Sequence, residues 1–139
     1  MTNKSEVGKI GEDIAAYYLE LHNCKIIDRN CRYVWGELDI VAKHKNGMLL
    51  IVEVKTVRGG DSFFGIKPED NMTRAKIQKL RRSANFYANQ NQSIYDPSRG
   101  WRIDFTSVIL PKGFQEYSAT NDLTSLYKNC EIKYIENVA

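Results

Sequence analysis

The chain lacks the features that mark several large protein classes. It has three cysteines in 139 residues, Cys24, Cys31 and Cys130. Their number is odd and no C-x-x-C spacing occurs, so reduced thiols are expected rather than a disulfide framework or a zinc site. The longest strongly apolar run, Met48 to Val52, falls far short of the ~20 residues of a spanning helix. Met1 to Glu6 carry no apolar stretch of the secretory kind, which makes the cytoplasm the expected location. Repeats, low-complexity tracts and blocks of like charge are also missing. What remains is an ordinary globular balance, 42% hydrophobic and 27% charged, in a length typical of one domain. A single domain over 1–139 is expected, with a weakly patterned tail from about residue 111.

The net charge is only +3, but it is unevenly spread. Between Asn71 and Phe105, seven basic residues (Arg74, Lys76, Lys79, Arg81, Arg82, Arg99 and Arg102) face two acidic ones, Asp96 and Asp104, a local surplus of +5. A basic surface suits an anionic partner such as nucleic acid. A solvated helix face would carry the same charges.

Periodicity sets the order of elements. Val7, Ile10, Ile14, Tyr18 and Leu21 recur at helical spacing behind an Asn3–Glu6 pair of capping-box type, which predicts a helix from about Lys4 to His22 that stops at Asn23. A stripe of small residues, Gly8, Gly11 and Ala15, borders the apolar one. Glycine inside a helix costs roughly 1 kcal/mol against alanine, so a close neighbour is expected there. Strand-like runs follow at Lys25–Cys31, Glu37–His44 and Met48–Val57, with a hairpin at Asn46-Gly47. A glycine-rich loop to Pro68, including Phe63 and Phe64, leads to a second helix from about Asp70 to Asn89. A strand over Trp101–Leu110 and an edge strand over Cys130–Ile135 complete the chain. The fold class is α/β or α+β, with one mixed sheet.

The chemistry concentrates in GELDIVAKHKNGMLLIVEVK. Glu37 and Asp39 lie two apart on one strand, and Glu53 and Lys55 two apart on the next, so each pair shares a face. Leu38, Ile40, Val52 and Val54 point to the other face as core. Adjacent carboxylates repel, and a divalent cation relieves this; oxygen-only donors suit Mg²⁺ or Mn²⁺. Cross-strand ion pairs on a wet sheet face are the competing account, worth a few tenths of a kcal/mol, or about that. Register separates the two. A two-residue turn at Asn46-Gly47 sets Asp39 opposite Val54, on the wrong face. A three-residue loop, Lys45 to Gly47, opposes His44 with Met48, Asp39 with Glu53 and Glu37 with Lys55. The second arrangement is the one predicted here.

A carboxylate on one strand followed by E-x-K on its hairpin partner resembles the PD-(D/E)XK nuclease-like superfamily. The order helix-strand-strand-strand-helix-strand matches the core of that superfamily. More narrowly, the chain resembles the YraN-like family of small bacterial proteins, described as endonuclease-like and distantly similar to archaeal Holliday-junction resolvases. The matching pieces run in order: G-x-x-G-E-x-x-A at Gly8 to Ala15, G-E-L-D-I at Gly36 to Ile40, V-E-V-K at Val52 to Lys55, Phe64-Gly65, Lys76, R-I-D at Arg102 to Asp104, and Ile135-Glu136-Asn137. The resemblance implies Asp39 and Glu53 as metal ligands and Lys55 as the catalytic lysine, with Glu37 and Glu12 as further acidic site residues. It implies Mg²⁺ or Mn²⁺ as cofactor and DNA, branched DNA included, as substrate. Resolvase-like enzymes often pair, so a homodimer is an open expectation. The arginine two residues after the catalytic lysine is replaced by Val57, with Arg58 next, and Pro68 comes one position later than in the family pattern. Arg58, Arg74, Lys76, Lys79, Arg81, Arg82 and Arg102 are the candidate nucleic-acid contacts. The alternative function is a non-catalytic nucleic-acid-binding or assembly module that retains the nuclease fold.

Overall fold

The structure, a computed structural model, describes residues 4–59, 72–112 and 123–138. Helix α1 (Lys4–Leu21) is followed by β1 (Cys24–Tyr33), β2 (Gly36–His44) and β3 (Leu49–Arg58), then α2 (Arg74–Gln90), β4 (Trp101–Leu110), a short α3 (Leu123–Lys128) and β5 (Glu131–Ile135). The five strands form one sheet in the order β1-β2-β3-β4-β5. All neighbours are antiparallel except β3 and β4. That parallel pair needs a crossover, and α2 lies within it. The molecule is therefore a single α/β domain with a mixed sheet. Among the described residues no helix is long and apolar enough to cross a membrane.

Two cores flank the sheet. On one face Val7, Ile10, Ile14 and Leu19 of α1 and Leu126 of α3 pack on Ile40, Ala42, Leu50, Val52 and Val108. On the other, Leu80, Ala84, Tyr87 and Ala88 of α2 pack on Leu38, Val41, Leu49, Ile51 and Ile103. The apolar stripe of α1 forms as its spacing predicts, except that Leu21 is 54% exposed and Leu19 is buried instead. The chain is already leaving the helix at that point, with Asn23 at φ 66 as the stop. The close neighbour expected beside the small-residue stripe is Thr56. A Cβ added at Gly11 would lie 1.7 Å from its Oγ1, whereas one at Gly8 would meet nothing within 4 Å.

The second hairpin takes the three-residue form. The N–H of His44 donates to the Met48 carbonyl at 2.9 Å and that of Gly47 to the His44 carbonyl at 2.8 Å. Gly47 has φ 101, which a side chain would strain. The ladder then runs Lys43↔Leu49, Ala42↔Leu50, Val41↔Ile51, Ile40↔Val52, the parity of the three-residue loop, and ends one position short of Asp39 and Glu53. Helix α2 begins at Arg74 behind the N-cap Thr73, whose side chain accepts from the Lys76 N–H. The earlier start expected at Asp70 lies outside the described residues, as do Phe63, Phe64, Gly65, Pro68 and Asn3. The short α3 is not expected from the sequence: six residues with a single buried apolar side chain, Leu126, leave no periodicity to detect. All three cysteines are free.

Candidate active site

Asp39 stands where β1 and β2 lose their regularity. The β1–β2 ladder pairs Arg29 with Ile40 and Cys31 with Leu38, and between them Asn30 adopts φ 54. Asparagine tolerates this region better than other side-chain-bearing residues. The distortion reverses the alternation. Ile40 belongs to the core under α1, while Leu38 belongs to the core under α2, with Cys31 packed beside it. Leu38 and Ile40 therefore do not share a face, contrary to simple period-two reading. Ile40, Val52 and Val54 do remain together on the α1 side.

The carboxyl groups of Asp39 and Glu53 lie side by side, close enough for one to hydrogen-bond to the other when it is protonated. One Asp39 oxygen, Oδ2, also accepts from the Val54 backbone N–H at 2.9 Å, which orients the group. Burial raises both carboxyls from their ordinary values. For Asp39 the Val54 N–H and the hydrogen bond from Glu53 oppose the rise. For Glu53 the neighbouring Asp39 charge adds to burial, and its pKa is pushed up to about 9. Burial and mutual repulsion thus favour a pair that shares a proton over one that carries two charges.

Three further charges bear on this pair. Lys76 of α2 acts on Glu53 as a compensating positive charge, and Glu37 adds negative potential to both carboxylates. Glu12 of α1 is raised by burial first and by the Asp39 charge second, against a hydrogen bond from Asn30 and the charge of Arg29. Arg29 lies 3.7 Å from Glu12 and 2.8 Å from Asp13, tying α1 to β1. Thus four of the predicted acidic residues, Glu12, Glu37, Asp39 and Glu53, come within electrostatic reach of one another. Among the described residues no three His, Cys, Asp or Glu side chains are close enough to form a ready-made cation cage. Lys55 follows Glu53 on the same side of β3, within an unbroken β3–β4 ladder, and is exposed.

Beside the acidic group opens a cleft of about 640 Å³, lined by Gly8, Lys9, Glu12, Arg29, Asn30, Arg32 and Glu37. Its rim places Glu37 3.9 Å from Arg32. Arg29, Asn30 and Lys9 line this cleft and are not among the residues that the sequence singles out. The Asn inside a strand-like run was the available signal for Asn30, while Arg29 and Lys9 carried none.

The basic window does not stay together. Arg74, Lys76, Lys79, Arg81 and Arg82 are exposed on α2. Arg102 lies on the opposite face of the sheet, registered with Leu50. There its Nε donates to Asp104 at 2.9 Å and its Nη2 lies 3.3 Å from Glu136. Asp104 is fully buried and also accepts from the Tyr134 hydroxyl and, at 2.9 Å, from the Asn137 N–H. The R-I-D and I-E-N pieces of the sequence are thus two halves of one network centred on the buried Asp104. Arg58 ends β3 and is partly exposed.

The fold, a mixed sheet with a strand-borne carboxylate pair and E-x-K on a hairpin, is that of the restriction-endonuclease-like class. Residues 11–108 match the sequence model of the Uncharacterised protein family UPF0102. A UPF0102 protein of Flavobacterium johnsoniae is 39% identical over 108 residues, covering 78% of this chain and 85% of its own. One of Dictyoglomus turgidum is 35% identical over 112 residues, covering 80% and 89%. One of Syntrophotalea carbinolica is 48% identical over 81 residues, covering 58% and 63%. The chain belongs to UPF0102, the YraN-like family of the restriction-endonuclease-like superfamily.

Proposed function

We propose that the protein is a divalent-metal-dependent hydrolase of phosphodiester bonds in DNA. The observation that carries this reading is the meeting of Asp39 and Glu53 in a half-buried pair that, among the described residues, has no ion pair to a cationic side chain. Such a pair favours a shared proton because two adjacent carboxylates cannot both ionise cheaply. A divalent cation replaces that proton. The donor set fits: oxygen ligands from two carboxylates are what Mg²⁺ and Mn²⁺ accept from proteins, the remaining positions going to water and substrate phosphate.

Asp39 and Glu53 would hold the ion, which when bound acidifies a water and polarises a phosphate oxygen. Asp39 is kept in position by the Val54 N–H. With a cation held there, both carboxyls would be ionised. Lys55, exposed beside the pair, orients the attacking water and offsets charge developing on the phosphate. Lys76 limits the negative potential at Glu53. Glu12 and Glu37 add acceptors on the α1 side, and Lys9, Arg29 and Arg32 in the adjoining cleft supply positive charge for the DNA backbone. The exposed basic face of α2 does the same on the other side.

The test combines metal binding with cleavage. Mn²⁺ raises the melting temperature of the wild type and not of Asp39→Ala. Branched, single-stranded or duplex DNA is cut with Mg²⁺ or Mn²⁺ and is left intact by Glu53→Ala. Binding of DNA without cleavage of any of the three, in wild type with metal, identifies instead a non-catalytic nucleic-acid-binding module on the nuclease fold.

A further inference from the structure

The tip of the β1–β2 hairpin, between Tyr33 and Gly36, is unused by the mechanism above. Its composition is unusual for a solvent-facing turn. Val34 is 101% exposed. The Tyr33 and Trp35 rings lie nearly parallel, 4° apart, with centroids 5.6 Å from each other. Phe86 of α2, itself 41% exposed, meets both rings edge-on at 5.4 and 5.5 Å. Arg82 lies over the Trp35 ring at 4.6 Å. The hairpin is held to α2 by close packing: a Cβ at Gly36 would lie 3.2 Å from Ser83 Oγ and 4.0 Å from Lys79 Cβ. The tip is therefore a packed aromatic surface in which Tyr33 and Trp35 are half-buried, Val34 and Phe86 are exposed, Arg82 caps the Trp35 ring and exposed Lys79 stands beside Gly36, three residues from Asp39 along β2.

From this arrangement we infer that the hairpin tip is a stacking platform for unpaired bases, so that the favoured ligand is DNA with a single-stranded segment next to the cleaved bond. That ligand rests on the reading of the protein as a DNA hydrolase; the platform refines which DNA. Aromatic rings interleaved with basic side chains are the recurring means of holding single strands, because every base offers a π-face and the backbone needs cations. A continuous duplex hides its base faces and would meet the tip only through its phosphates. Pairing of two copies through the same surface is disfavoured by charge, since a symmetric contact brings Lys79 and Arg82 toward their own copies.

The experiment uses Trp35 as its reporter. The sequence has two tryptophans, and Trp101→Phe leaves Trp35 as the single emitter. In EDTA, a dT strand and a duplex, each of about 12 nucleotides or base pairs, are titrated into this protein. The strand is expected to quench Trp35 emission saturably and to bind more tightly than the duplex. Trp35→Ala is expected to weaken strand binding by roughly tenfold, within the range for loss of one stacked base, with duplex binding changed by less than about twofold. Val34→Ser, at a fully exposed position that folding does not depend on, moves strand binding in the same direction and keeps the test open if Trp35→Ala does not fold. Unchanged Trp35 emission at saturation, or equal losses for strand and duplex, overturns the inference. So does a dimer, seen by sedimentation without DNA, that Val34→Ser dissociates. No metal is needed here, so the two readings fail separately. Strand preference without cleavage under Mn²⁺ defeats the hydrolase alone, and metal-dependent cleavage with an indifferent hairpin defeats the platform alone.

Discussion

Asp104 and Glu53 stand on neighbouring strands, one residue out of step in a ladder that pairs Val52 with Asp104, and so face opposite sides of the sheet. Asp104 is fully buried and Glu53 half-buried, and their surroundings differ. Asp104 has a full set of donors in Arg102, Tyr134 and the Asn137 N–H. Glu53 has another carboxylate, Asp39, with Lys76 acting at a distance. A buried acid whose lone pairs are all answered fixes architecture; here it fastens the C-terminal segment to β4. A half-buried acid facing a second acid is costly without a proton or a cation, and that cost is characteristic of sites built to bind something.

The sharpest way to break this contrast is to remove Asp104. Asp104→Ala leaves the Arg102 guanidinium, the Tyr134 hydroxyl and the Asn137 N–H without their acceptor, and should lower stability by about 3–5 kcal/mol in urea titration. Mn²⁺ should still raise the melting temperature of whatever fraction folds, because the carboxylate pair lies on the other face.

Next in size is Gly11→Ala. Thr56 is a short, branched side chain anchored in β3, so it cannot retreat from a Cβ placed 2.7 Å from its own Cβ. A loss of about 2–3 kcal/mol is expected in thermal melts, despite the gain in helix propensity. The same change at Gly8, where nothing lies within 4 Å, should stabilise by about 0.5–1 kcal/mol.

Glu53→Gln should instead stabilise the metal-free protein, and in a pH-dependent way. The folded carboxyl is raised from 4.5 to about 9. The proton it keeps favours the folded state fully below about 4.5, and that advantage is lost as pH rises through the folded value. Glutamine stays neutral throughout. The variant should therefore match the wild type near pH 4.5 and exceed it by a margin that grows as pH rises toward 8, as read from paired denaturation curves. A wild type whose stability does not fall across this window would place Glu53 in an ordinary solvated setting.

The smallest effect on folding is expected for Arg74→Ala combined with Arg81→Ala. Both side chains are exposed on α2, so stability should change by less than about 0.5 kcal/mol. Affinity for duplex DNA should fall, and the slope of log K against log salt should become shallower by about 1.8 if both contact phosphate.

Legibility differed from element to element. The strand Trp101–Leu110 is found at the bounds its β-branched and aromatic residues predict. Helix α1 and the hairpin register were readable because each rests on local rules: a 3.6-residue period in one case, and the parity of a loop ending in glycine in the other. Arg102 shows where locality fails. Its place in a run of positive charge suggested a nucleic-acid contact, and its neighbours in space, Asp104 and Glu136, come from its own strand and from the C-terminal segment.

By itself, the sequence determined which residues alternate, where the chain turns, and that two carboxylates and a lysine would arrive on adjacent strands. These properties depend on neighbours within a few positions, where backbone geometry leaves few choices. Only the tertiary structure decided which acid is answered and which is not. That depends on groups distant along the chain: Tyr134 and Asn137 reaching Asp104, Lys76 acting on Glu53 from α2, and Glu12 feeling Asp39 from α1. Charge on a residue is a property of the chain, but its free energy is set by solvent exclusion and by partners that the packed sheet and helices bring together.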